Sequence, residues 1–250
     1  MSRFKLVLVL VAAAIAWPAA AQDYPARNVK IIVPFGAGGP ADVYARFIGQ
    51  HLSEALKRSF VIENRPGAGA VIGTDEAAKA PPDGYTLLMM SNTHTTNETL
   101  IPQKPYQLMR DFVPVAPVNY SDLLLVVHPS VPANNLSEFV AHAKARPGAL
   151  NYASSGPGTP YHMAGAEAGV PGYEATIWLG IMAPAATPRP IVEKLNGEIA
   201  KVLKRPEVQQ AWAKQCAVPM IMTPAEFDRY LRDDIEKWAR VVKLSGAKVQ

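Results

Sequence analysis

Residues 29–46 constrain the fold more than any other stretch, because they read as strand, glycine-rich turn and helix in immediate succession. Val29-Lys30-Ile31-Ile32-Val33 is mostly β-branched and ends at Pro34, as a buried strand does. Phe35-Gly36-Ala37-Gly38-Gly39-Pro40 follows, and its small residues let backbone N–H groups approach a ligand closely. A helix begins near Pro40 or Ala41, with Val43, Phe47, Ile48 and Leu52 on one face. Free amides at a helix N-terminus project about half a positive charge, so this corner reads as an anion site and one wall of a cleft. Asp42, in the first turn, reads as an acid that offsets the helix dipole rather than as a ligand contact.

Alternating elements continue from there. Residues 60–63 form a second strand, 64–69 a turn cluster, 71–80 a helix of small residues and 85–90 a third strand. That strand ends in Ser91-Asn92-Thr93-His94-Thr95-Thr96, a polar tip at the carboxyl edge where open α/β sheets bind ligands. Residues 111–118 are extended and cross between lobes, and 123–128 form a hydrophobic strand. A helix spans 136–145, capped by Asn134 or Asn135 and stopped by Pro147-Gly148. Residues 150–153 are a strand running into a second loop, 154–162, which could face the first across the cleft. After a strand at 176–183, Thr187 caps a helix with Pro188 at its first position and Ile191, Leu195, Ile199 and Leu203 on one face. A shorter helix occupies 206–215. Thr223-Pro224-Ala225-Glu226 is a capping box for a long amphipathic helix carrying Phe227, Leu231, Ile235, Trp238 and Val242. The C-terminal helices read as packing elements.

With 250 residues, 49% hydrophobic and 18% charged, the chain is a globular protein of one or two domains. Met1-Ser2-Arg3-Phe4-Lys5, a short apolar run and Ala19-Ala20-Ala21 form a secretory signal, cleaved after Ala21. The run is shorter than the roughly 20 residues a membrane span needs. Loss of Arg3 and Lys5 lowers the formal charge of +4 by two, which gives no reason to invoke nucleic acid. Cys216 stands alone, which excludes an internal disulfide and a lipoprotein anchor after the cleavage site. The five histidines lack paired spacing, so no metal site is expected.

Several motifs together resemble the Bug-type solute-binding proteins of tripartite tricarboxylate transporters. They are Val33-Pro34-Phe35 with Gly38-Gly39, Asp42 and Ala45-Arg46; Glu63-Asn64-Arg65-Pro66-Gly67-Ala68-Gly69; and Pro82-Asp83-Gly84-Tyr85-Thr86-Leu87-Leu88. Residues 150–154, Gly156, Gly158-Thr159 and His162 fit the loop of the second lobe, and 167–174 fit a later motif. The resemblance implies an α/β, type II periplasmic-binding-protein fold of two lobes that close on a small organic carboxylate: a di- or tricarboxylate, an amino acid or an aromatic acid. It implies a periplasmic monomer that hands ligand to the membrane components of a tripartite carrier, with no enzymatic activity and no cofactor. By the same resemblance the ligand contacts are Phe35, Ala37, Gly38, Gly39, Ser91, Asn92, Thr93, Ser155, Gly156, Gly158, Thr159 and His162.

One departure stands out. Gly165 runs directly into the segment 166–174, which in the family lies several dozen residues later. Lobe 1 is then 22–118 with 170–250, and 119–169 is what remains of lobe 2. A unit that small buries little surface and leaves strand edges unpaired. The expectation is a folded first lobe, a loose second one and weakened or lost affinity, down to a remnant that no longer binds. Two other classes compete. Gly36, Gly38 and Ala41, with Glu63 about 20 residues on, satisfy a loose dinucleotide fingerprint of an oxidoreductase, against which stand Pro40 and export from the cytoplasm. Ser154 or Ser155 with His162 and Asp42 would make a serine hydrolase, but no G-x-S-x-G elbow is present.

Overall fold

The structure, a computed structural model of the chain, describes residues 24–149 and 176–245. Its centre is a six-stranded sheet of β1 (Val29–Val33), β2 (Phe60–Asn64), β3 (Thr86–Ser91), β4 (Phe112–Asp122), β5 (Thr176–Pro184) and β6 (Ala217–Pro219), in the order β2-β1-β3-β5-β4-β6. β1 pairs in parallel with β2 and β3, whereas β5 is inserted antiparallel between β3 and β4. The strand nearest the C-terminal half thus returns through the middle of the sheet, and the described core is built from both sides of the chain.

Period-two alternation sets the two faces. Val29, Ile31, Val33, Leu87, Met89, Leu179, Ile181 and Ala183 point into one core. That core is closed by α1 (Pro40–Leu56), α6 (Arg189–Leu203) and α7 (Pro206–Ala213). The intervening Ile32, Leu88, Met90, Trp178 and Met182 point into the other, against α2 (Val71–Ala78) and α8 (Pro224–Ser245). The Thr223–Glu226 capping box opens α8, and Phe227, Leu231, Trp238 and Val242 are buried along it.

Four local expectations are corrected. The polar end Ser91–Thr96 does not simply close the strand: Ser91 caps α3 (Asn92–Leu100), whose first six residues are all buried. Asn and Thr are poor helix formers, and tertiary bonds hold the helix instead. Thr95 Oγ1 donates to Asp234 Oδ2 at 2.6 Å, and Trp178 Nε1 donates to the same carboxylate. Thr187 does not cap α6, since its hydroxyl donates back to Pro184 O. On α1, Ile48 and Leu52 are fully buried and Phe47 packs against the core as expected, but Val43 is 45% exposed, and Ala41, Tyr44 and Ala45 complete the buried stripe instead.

The fourth correction concerns residues 123–128, which are not a strand. Both sides of β4 are taken, by β5 and β6, and the described residues offer no other partner. Leu124 is 89% and Val126 84% exposed. The helix α5 (Leu136–Ala145) forms where expected, capped by Asn135, whose Oδ1 accepts from Glu138 N at 3.0 Å. None of residues 123–149 is buried. A four-residue helix, α4 (Leu108–Asp111), and the short edge strand β6 carried no sequence signal that the local pattern could show.

Candidate binding site

The glycine-rich loop lies between β1 and α1, at the carboxyl edge of the sheet. It is pinned from three sides. Gly38 N donates to Asp42 Oδ2 at 2.8 Å, Arg46 Nε donates to the same oxygen at 3.0 Å, and Arg46 Nη2 lies 2.8 Å from Oδ1. Arg46 also donates to Asn64 Oδ1, and Asn64 Nδ2 donates to Phe35 O. Burial pushes the Asp42 carboxyl up, but its bonds to Arg46, Gly38 and Asn64 outweigh this and hold it below the usual carboxylate value. Asp42 therefore stays charged and balances the helix terminus, as its position in the first turn implied. Gly38 adopts φ +81°, a conformation that strains any residue with a side chain.

That arrangement uses one of the loop's amides and leaves others. Among the described residues, the N–H groups of Gly36, Ala37 and Gly39 have no hydrogen-bond partner. Gly36 and Ala37 are exposed. Phe35 is half-buried and packs edge-on against His94, with ring centroids 5.9 Å apart.

Ser91, Asn92 and Thr93 lie behind the loop at 2% exposure or less. Ser91 Oγ accepts from Thr93 N, which spends this hydroxyl on the cap of α3. Thr93 Oγ1 and Asn92 Oδ1 are buried without a partner among the described residues. His94 is fully buried. Thr74 Oγ1 donates to Ala70 O and lies 2.9 Å from His94 Nε2, and Ser91 N lies 3.2 Å from His94 Nδ1. His94 Nδ1 also lies 3.1 Å from Ser91 O. Burial pushes the imidazole down to about 4.

Beside the loop a recess of about 320 Å³ is bounded by Gly38, Pro40 and Val43 on one side and by the ends of β4 and β5 on the other. Asn119, Ser121 and Asp122 of β4 line it, with Tyr44 and Gln215, which are themselves hydrogen-bonded at 3.2 Å. The sequence reading passed over Asn119, which lies one residue beyond the extended segment 111–118 and outside any motif. Ser155, Gly156, Gly158, Thr159 and His162 lie outside the described residues.

The competing chemistries find no support here. Glu63, the would-be ribose acid, is ion-paired to Lys30 at 2.7 Å and to Arg65. Asp42, the would-be triad acid, is committed to Gly38 and Arg46. Among the described residues no group of histidine, cysteine or acid is arranged to hold a metal ion.

The family model described as "Tripartite tricarboxylate transporter family receptor" matches residues 44–168 and 163–247. The chain belongs to this family. Receptors of the family are periplasmic solute-binding proteins, not an enzyme class. This receptor is similar to protein BugT of Bordetella pertussis, 32% identical over 315 residues that take in 97% of each chain. Those aligned positions outnumber the 250 residues of the chain, so several dozen positions of BugT face a gap in it. The family model is likewise matched in two pieces, which meet at residues 163–168. Among solved structures, R. palustris Rpa4515 with adipate superposes with a TM-score of 0.82 at 28% identity, over 90% of this chain and 100% of that one. The periplasmic binding protein BugD gives 0.81 at 24% identity, over 91% and 100%, and shows the shared fold. Among the described residues no helix of the receptor is long and apolar enough to cross a membrane.

Proposed function

We propose that the receptor is exported, loses residues 1–21, and captures a small organic carboxylate for the membrane components of a tripartite carrier. The observation that carries this reading is the loop at the N-terminus of α1. Three amides there have no partner among the described residues, and they stand beside a recess of about 320 Å³ at the carboxyl edge of the sheet. Oriented N–H donors neutralise a carboxylate without a buried lysine, each charge-assisted bond contributing roughly 1.5–3 kcal/mol. The adipate in the Rpa4515 structure supports a ligand of this class. Asp42 places the bound anion on the outer amides, Ala37 and Gly39, since the Gly38 amide is already engaged. Thr93 and Asn92 back the loop. The acid is released unchanged.

A second reading draws on the exposed segment 123–149. Residues 22–118 with 170–250 constitute lobe 1, and 119–169 what remains of lobe 2. The exposure of Leu124, Leu125 and Val126, and the absence of any buried residue in α5, favour a second lobe too small to close firmly. Affinity is then weaker than two full jaws would give. Titration calorimetry of residues 22–250 with adipate and a panel of hydroxy, amino and aromatic acids tests both readings. Saturable heat with at least one acid, recovered unaltered by NMR, is expected. A panel without heat, on protein that melts cooperatively, overturns the receptor reading in favour of a folded remnant.

A further inference from the structure

The recess beside the loop has one charged residue among the described ones that line it, and that residue is Asp122. Among the described residues no lysine or arginine lines it. A ligand anchored by one carboxylate on the loop amides therefore meets no cation among them at its other end. A second carboxylate there would stand against Asp122 and lose its hydration without compensation.

What the far wall offers is a carboxamide. Asn119 is 3% exposed, lines the recess, and its Oδ1 is buried without a partner. Its Nδ2 is not among the buried unpaired atoms and stays open to the recess. A buried carbonyl oxygen left unpaired is destabilising, so its retention calls for an occupant that bonds it. The backbone is shaped to present this side chain. The pairing of β4 with β5 slips by one residue between Pro117 and Asn119: Pro117 faces Gly180, while Asn119 faces Leu179. Such an irregularity turns a side chain that regular alternation would place elsewhere. Val118, the extra residue, is fully buried in the core, and Asn119 comes out at the recess.

The geometry points to Asn119 as the specificity-determining residue of this receptor, selecting acids whose second polar group is an uncharged carboxamide or hydroxyl over dicarboxylates. This rests on the carboxylate reading above and sharpens it. A primary amide presents a donor and an acceptor side by side, and the matching ligand group does the same. Asp122 at the rim disfavours the charged alternative.

The test compares adipate, its monoamide adipamate, and hexanoate by calorimetry on residues 22–250, wild type and Asn119→Leu. Wild type is expected to bind adipamate roughly tenfold tighter than adipate. Asn119→Leu removes that preference, while hexanoate binding changes less than about twofold. Adipate bound as tightly as adipamate by wild type overturns the inference alone and leaves the receptor reading intact. An unchanged preference in a folded Asn119→Leu variant overturns it as well. No heat with any of the three acids overturns the inference, and the receptor reading falls with it only where the wider acid panel is silent as well. The wild-type comparison decides even where the variant fails to fold.

Discussion

The carboxylate of Asp42 accepts a 2.8 Å hydrogen bond from the amide of Gly38, four residues earlier, and Arg46 closes on the same carboxylate from four residues later. This clasp holds the loop in the one shape that leaves its neighbouring amides outward. It also fixes the sign of the pH dependence at this corner. The folded carboxyl sits below its ordinary value of 3.8, so its contribution is complete above that value and is lost as pH falls through the folded one.

Replacing the clasp is the first measurement. Asp42→Ala strips Gly38 and Arg46 of their shared acceptor and is expected to cost about 1.5–3 kcal/mol in urea denaturation at pH 7. Asp42→Asn keeps one acceptor and costs less. Carboxylate affinity falls with the same order, because a loosened loop must be reordered on binding. Equal stability of wild type and the alanine variant would show that the clasp holds nothing.

His94 sets the stability at mildly acid pH. Its unfolded value is 6.5 and burial takes the folded one to about 4, so the unfolded chain binds the extra proton between those values. Stability therefore falls as pH drops below 6.5, by about 2 kcal/mol between pH 7.5 and pH 5. His94→Gln, neutral in both states, flattens this part of the curve. Parallel curves for the two proteins would assign the acid sensitivity elsewhere.

Gly180 has no room for a side chain. A Cβ there would collide with Phe227 Cζ, and the ring is fully buried. Gly180→Ala is expected to cost about 1–3 kcal/mol by overpacking. Trimming the ring with Phe227→Leu should recover part of that cost, which a double-mutant cycle reads as coupling.

Amide exchange separates the two parts of the receptor. The strands β1 and β3 are buried on both faces, while none of residues 123–149 is buried. The amides of α5 should exchange roughly a hundredfold or more faster than those of Ile31 and Leu88. Comparable protection would mean that a second core covers α5.

Much of the fold was legible because it rests on local rules. β1, β2 and β3 and the helices between them show in β-branched runs, glycine turns and apolar stripes, and the Thr223–Glu226 and Asn135–Glu138 caps fall where short polar motifs place them. α3 was not legible. Its sequence, Asn92-Thr93-His94-Thr95-Thr96-Asn97, has no apolar period, and its burial depends on Asp234, 139 residues beyond Thr95. The strand expected at 123–128 failed for a related reason. A hydrophobic run becomes a strand only beside another strand with free hydrogen-bonding groups.

The amino-acid sequence by itself determined the alternating layers, the glycine-rich corner ahead of α1 and the membership of a carboxylate-receptor family, since each is written in residues close together along the chain. Only the tertiary structure decided which groups at that corner remain available. It committed the Gly38 amide to Asp42, sank Ser91 and His94 behind the loop, and turned Asn119 toward the recess through a slip in strand register. The physical reason is that a polar group is free or satisfied according to what packs against it, and those partners arrive from distant parts of the chain.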